Sequence, residues 1–397
     1  MSQKSLRAYA NVGVMRLARR LRLSANPARP IIAYAEPTLF CNLQCPSCPT
    51  GLKLDVRPRV VMDVEWFKRV VDELGPYLFE LVMYNWGEPL LHKQFPEMVA
   101  YAKPWNIRVV ASSNLSVPVS REYLERLVRS GLDKLKVGME GTNQEEYERY
   151  RVKGDFDLVV KNMRTIQEIK KELRLKRPRI RIGFHVFEHN QGSIETAQRM
   201  HREWGADGIS FASSFVSEQA EQAGVHPSTI DDFNLYRADG LKASPDPCTW
   251  LWGAIVLNPS GSVSPCCGVV DQRSDFERDA RTKSIIGDVW NNAMYRRARK
   301  SESQYRPDAG VPIHLVKDGM SLSSIPATDQ QLICEQCPIP FRKDYVERIL
   351  DSMGKEILSE AQRGKTLRRR ARAWAAYALM GMPGGAPRAK PGARPEE

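Results

Sequence analysis

From residue 31 onward, apolar runs of strand length alternate with amphipathic stretches of helical period, and this alternation most narrows the folds open to the chain. The pattern predicts strands over 31–36, 80–84, 107–112, 134–139, 180–187 and 208–211, with helices near 63–74, 94–103, 119–130, 155–173 and 191–204. Strands that each lead into a crossover helix build a parallel sheet. Roughly six units are visible, fewer than a closed eight-stranded barrel needs, so the fold class is α/β with a partial, TIM-like (β/α)6 barrel. Chemistry on such a sheet gathers at the C-terminal ends of the strands.

After about residue 238 the composition shifts to proline, cysteine and glycine with short strands. The expected organisation is a basic arm over 1–29, a core over 30–238, a cysteine-bearing domain over 239–345, and a helix with a basic tail over 346–397. The Pro/Gly/Ala segment from 383 has too little apolar content to pack and is expected to be disordered. The formal charge of +12 is uneven. Residues 1–29 hold seven basic side chains and no acid, residues 361–397 nine basic against two acidic, and the middle is left at −2. A near-neutral body gives a nucleic-acid substrate no support. The basic ends are expected to be solvated, with a minority reading in which Met15, Leu17, Leu21 and Trp374 lay them on an anionic membrane surface. No apolar run spans a bilayer and no signal-peptide core is present.

Eight cysteines in a chain of 397 residues, three of them crowded together, point to metal ligation in a reducing compartment, and hence to the cytoplasm, rather than to a disulfide framework. The crowded three, Cys41, Cys45 and Cys48, follow the first strand in a C-x3-C-x2-C run. Zinc would want a fourth Cys or His nearby, and none follows within the next forty residues. Three thiolates instead hold a four-iron cubane with one iron left open to a small molecule.

This triplet resembles the signature of the radical S-adenosylmethionine (radical SAM) superfamily, and further residues carry the same resemblance. Gly87-Glu88-Pro89 after the second strand looks like the family's GEP motif, which implies that the Glu88 carboxylate receives the SAM ammonium. Ser113 and Asn114 follow the third strand, where relatives place polar groups near the cofactor. The stretch from Gly138 through Glu140 to Arg151 resembles the family's SxDG…Y…xR run, which implies that Arg151 grips the SAM carboxylate with its planar fork. Gly138 stands where the family has Ser, Glu140 where it has Asp, and Ser47 where many members have an aromatic residue. The implied chemistry is reductive cleavage of SAM to a 5′-deoxyadenosyl radical, which takes hydrogen from an unactivated carbon. An external one-electron reductant such as flavodoxin or ferredoxin is implied as a partner.

Cys248 and Cys266 bracket a predicted hairpin with an Asn-Pro-Ser-Gly turn, and Cys334 and Cys337 add a second pair. The pattern resembles a SPASM domain in the short Twitch form found in the butirosin-pathway dehydrogenase type, which implies an auxiliary [4Fe-4S] cluster held by four cysteines. Zinc satisfies four cysteines equally well. Cys267 is left over and is a candidate hydrogen-atom donor, against the plainer reading of a buried neighbour. His185, near the end of the fifth strand, is a candidate proton acceptor, against a packed strand histidine.

The leading expectation is a radical SAM enzyme that oxidises or epimerises a small-molecule or sugar-like substrate. The alternatives are a maturase acting on a ribosomal peptide and a non-catalytic iron–sulfur electron carrier. Only about thirty residues precede the barrel, short for the winged peptide-recognition domain of many maturases.

Overall fold

The structure, a computed structural model, describes residues 4–237, 240–241, 248–302, 334, 345–363 and 375–380. The expected boundary at 238–239, Cys337, Trp374 and the segment from 383 lie outside these residues.

All six predicted strands form: β1 (Ile32–Ala35), β2 (Glu80–Val82), β3 (Arg108–Ser113), β4 (Lys134–Gly138), β5 (Arg179–Val186) and β6 (Gly208–Ser213). They pair parallel in sequence order. The crossover helices fall where the 3.6-residue period places them. Helix α2 (Val64–Leu74) starts at Asp63, whose side chain accepts from the Trp66 amide at 2.6 Å, and buries Trp66, Phe67, Val70, Val71 and Leu74 on one face. The helices α3 (Phe95–Ala102), α4 (Arg121–Arg129), α5 (Gln144–Tyr150), α6 (Phe156–Glu172) and α7 (Ile194–Met200) follow, and the longest, α6, is capped by Asp155. A short α8 (Glu218–Gln222) and the two-residue ribbon of β7 (Tyr236–Arg237) and β8 (Gly240–Leu241) come after β6.

The cysteine-rich segment does not fold as a separate layer. Residues Trp250–Gly253 form a short helix, α9, and only then do β9 (Ala254–Leu257) and β10 (Val263–Ser264) make the predicted hairpin. The hairpin is therefore shorter than Cys248–Cys266 suggested. Strand β9 pairs parallel with β1, Ile32 opposite Ala254, so the barrel sheet continues to eight strands in the order β10-β9-β1-β2-β3-β4-β5-β6. Beyond the hairpin come the longer helices α10 (Ala293–Glu302) and α11 (Tyr345–Arg363).

The basic N-terminal segment is built into the fold. Helix α1 (Leu6–Arg20) lies across the N-terminal ends of the strands. Tyr9 packs on Phe79 just before β2, with ring centroids 5.3 Å apart. Lys4 donates to the carbonyls of Gly75 and Trp105 at 2.9 and 2.5 Å. Met15, expected among solvated or lipid-facing residues, is instead buried beside Gly253 ahead of β9. Arg16 and Arg19 tie the helix to Glu347 of α11 at 2.8 and 3.1 Å.

Candidate functional site

The loop after β1 carries the three cysteines to the C-terminal end of the sheet, and strands β2 to β5 bring the other predicted residues to the same end. Gly87 is fixed there by space: a Cβ would lie 1.8 Å from the Thr38 carbonyl oxygen. That contact presses the loop after β2 against the cysteine loop, where the Glu88 amide donates to the Phe40 carbonyl at 2.9 Å.

Each cysteine sulfur has a hydrogen-bond contact. The Leu43 amide and the Asn114 side-chain amide face Cys41 Sγ at 3.5 and 3.9 Å, and Arg151 Nη1 faces Cys45 Sγ at 3.8 Å. Cys48 Sγ instead lies 3.9 Å from the Trp86 carbonyl. Burial pushes the Cys41 and Cys45 thiols up to about 11 and 12, and Cys48 moves the same way. Without metal these are neutral thiols. Donors aimed at Cys41 and Cys45 suit thiolates bound to iron. Among the described residues no three His, Cys, Asp or Glu side chains converge tightly enough to chelate one ion.

Glu88 is buried, and its carboxylate accepts from Ser113 Oγ at 2.8 Å, the Asn114 amide at 2.7 Å and the Leu90 amide at 3.0 Å. Three contacts leave about one of the roughly four lone-pair sites of a carboxylate for an ammonium. Asn114 also donates to Asn42 at 3.0 Å, so it links the cysteine loop to β3.

Arg151 is placed differently from the expectation. Its Nε and Nη2 fork engages Glu140, the latter at 2.9 Å, while its face lies over the Tyr150 ring. The fork is therefore spent on a protein carboxylate, and Nη1 is the group turned to the cysteines. Glu140 also accepts from His185 Nδ1 at 2.9 Å. Burial alone would raise the Glu140 pKa, but the Arg151 charge and the hydrogen bonds from His185 and Arg151 hold it down to about 2. Burial lowers the His185 pKa, so the imidazole is neutral with Nδ1 committed to Glu140. Asn190 staples this corner, donating to the Glu140 and His185 carbonyls at 3.0 Å each.

Two further groups escaped the sequence reading. Glu36, at the end of β1, accepts from the Trp86 and Gly87 amides, while its Oε2 is buried with no partner. Burial raises its pKa to about 7, against the pull of those amides and of Arg57. An orphaned carboxylate oxygen beside the Gly87 turn is a fitting partner for a bound cation or hydroxyl. Arg57, in the cysteine loop, reaches Asp275 through two bonds of 2.5 and 2.8 Å and Ser262 at 2.9 Å, all buried. Only the position of Glu36 as the last residue of a predicted strand hinted at a role. Arg57 left no local signal.

Of the auxiliary cysteines, Cys248, Cys266, Cys267 and Cys334 are half-buried against the core. Cys266 and Cys334, distant in sequence, both act on the buried Tyr295 hydroxyl, whose pKa is raised first by burial and then by their charge. With its amide oriented to satisfy both neighbours, Asn85 donates to the Cys267 carbonyl at 3.3 Å and accepts from Trp86 Nε1 at 3.0 Å. The auxiliary segment thus reaches the mouth of the barrel.

A profile of the radical SAM superfamily matches residues 35–175, and one of the SPASM iron–sulfur cluster-binding domain matches residues 248–309. The chain is similar to Fe-coproporphyrin III synthase from Methanosarcina barkeri, 28% identical over 140 residues, which is 35% of this chain and 34% of that protein. It is similar to PqqA peptide cyclase from Granulibacter bethesdensis, 24% identical over 290 residues, which is 66% of this chain and 74% of that protein. Mycofactocin maturase from Mycolicibacterium smegmatis is 30% identical over 138 residues, 34% of each. The chain thus spans about a third of the length of the first and last of these relatives. In fold it resembles Streptococcus suis SuiB bound to S-adenosylmethionine, with a TM-score of 0.52 at 13% identity over 68% of each chain. The chain thus carries a radical SAM domain over residues 35–175 and a SPASM iron–sulfur cluster-binding domain over residues 248–309, and these domains imply S-adenosylmethionine and two [4Fe-4S] clusters as cofactors.

Proposed function

We propose that this radical SAM enzyme modifies a ribosomally made peptide. The observation that carries the reading is the breadth of the match to PqqA peptide cyclases, which extends to 78% of this chain and 89% of the relative, through barrel and auxiliary segment together. The small-molecule expectation has weaker support, since the similarity to Fe-coproporphyrin III synthase covers about a third of the chain. When bound, SAM and its cluster supply one-electron hydrogen abstraction at an unactivated carbon. Cys41, Cys45 and Cys48 would hold that cluster, with Glu88 and Asn114 shaping the floor on which SAM rests. Arg151 would lend positive charge through Nη1, steadied by Glu140. His185, oriented through Nδ1, would offer Nε2 to accept the proton that an oxidative bond formation releases. Edge strand β6, half-exposed, offers one line of backbone to an extended peptide.

A second reading, oxidation or epimerisation of a small molecule, draws on the same His185 and would need Cys267 as donor for epimerisation. One experiment separates them. Reconstituted enzyme, SAM and a reductant such as flavodoxin are incubated with deuterated peptides or with deuterated small metabolites from the same cells. Deuterium in 5′-deoxyadenosine from the peptide fraction supports the proposal; deuterium from the metabolite fraction alone overturns it.

A further inference from the structure

Helix α1 has two apolar faces. One, with Ala8, Val12, Met15 and Ala18, is buried on the barrel. The other faces water: Leu6, Val14, Leu17 and Leu21 recur at i, i+8, i+11 and i+15, in one line along the helix. Leu17 and Leu21 are 55% and 58% exposed, and Leu23 and Leu379 extend the patch. Exposed Arg7, Arg20 and Arg22 flank it. A helix that turns leucines outward between arginines has the make-up of a segment lying in a membrane interface.

A second feature lies at the same end of the barrel. A cavity of about 700 Å³ opens at the N-terminal ends of β3 to β6, and Lys4, from the residue run leading into α1, lines it. Lys103, Arg108, Lys134, Arg177, Arg179 and Arg181 line it as well. Asp133 and Asp207 lie in the same wall and Glu80 pairs with Arg108, so seven cations meet three acids. Asp133 already serves both Lys103 and Arg177. Lys134, Arg179 and Arg181 make no salt bridge among the described residues. Burial, then the neighbouring positive charge, lowers Lys4 and Lys103 to about 8. Such crowding of like charge is relieved by bound anions.

We propose that the N-terminal end of the barrel docks on an anionic membrane surface, the α1 leucines entering the boundary between headgroups and acyl chains and the cavity's cations meeting lipid phosphates. A second copy of the chain is disfavoured as the occupant, because residues 1–29 carry seven basic side chains and no acid, and two such faces would repel. Among the described residues no helix is long and apolar enough to cross a membrane, so the contact is peripheral. The cysteines lie at the opposite ends of the strands, so docking leaves the mouth of the site open to water. This inference is independent of the substrate.

The test is flotation of the full-length holoenzyme with vesicles of phosphatidylcholine alone or mixed with phosphatidylglycerol. Flotation with the anionic vesicles and not the neutral ones is expected, weakening as salt rises. Leu17→Glu combined with Leu21→Glu, both at exposed positions, should lower binding about ten-fold with an unchanged melting temperature. Lys134→Glu with Arg181→Glu should do the same. No flotation of the wild type with anionic vesicles, or equal flotation of the leucine variant, overturns the proposal. So does a wild-type dimer that binds no vesicle and that the leucine variant splits, since the face is then an interface between copies.

Discussion

Gly138 and Arg151 share one volume: a Cβ at position 138 would lie 2.2 Å from Arg151 Nη2 and 2.9 Å from Cζ. The two departures from the superfamily run noted in the sequence are therefore coupled. Losing the side chain at 138 makes room for the guanidinium, and the longer acid at 140 reaches both Arg151 and His185. Gly138→Ala should push the guanidinium out of register with Cys45. The rate of 5′-deoxyadenosine formation should fall about a hundred-fold, the scale of a 1 Å misplacement, with little loss of iron.

Glu140→Gln removes the counter-charge of a buried arginine. Breaking such a pair on one side costs about 3–5 kcal/mol. The variant should show that loss in denaturant unfolding, while Glu140→Asp, which keeps the charge, should lose less.

The two buried acids of the site make opposite pH contributions. Glu140 is held near 2, below its ordinary 4.5, so the stability it adds is present above that ordinary value and fades as pH falls from about 4.5 toward 2. Glu36 is raised to about 7. Between its ordinary 4.5 and about 7 the folded chain holds a proton that the unfolded chain has lost, so stability declines as pH rises through that window, by roughly 3 kcal/mol in all. Glu36→Gln should flatten that decline in unfolding measured from pH 5 to 8, and an unchanged slope would show that Glu36 does not titrate there.

Arg57 and Asp275 join the cysteine loop to the auxiliary hairpin through a buried, two-bond ion pair. Arg57→Met alone should destabilise by about 3–5 kcal/mol, and adding Asp275→Leu should recover much of it. If the single variant unfolds like the wild type, the pair does not couple the two segments.

The strands and crossover helices were legible because each depends on a local period: α2, for example, repeats its buried residues within two turns of an Asp cap. The cysteine triplet, Gly87-Glu88-Pro89, Glu140 and His185 stand out in the sequence one by one, through the family resemblance or their place at strand ends, whereas the bond between Glu140 and His185 does not. What escaped depends on partners distant in sequence. Arg57 meets Asp275 across 218 positions, and β9 reaches back to β1, neither of which marks its own neighbourhood. The resemblance implies a SAM carboxylate as the partner of Arg151, and the sequence does not show that its fork also meets Glu140, eleven residues away and brought close by α5. Composition groups Met15 with Leu17 and Leu21, but helical phase turns it to the core.

Electron paramagnetic resonance of the reduced, oxygen-protected chain with and without added SAM bears most directly on the three-cysteine site. The signal of a cluster with an open iron should change when SAM is added, and the change should vanish when Cys41, Cys45 and Cys48 are replaced by alanine. Identical spectra before and after SAM in the wild type would contradict the assignment of these cysteines as holders of an under-ligated, SAM-binding cluster.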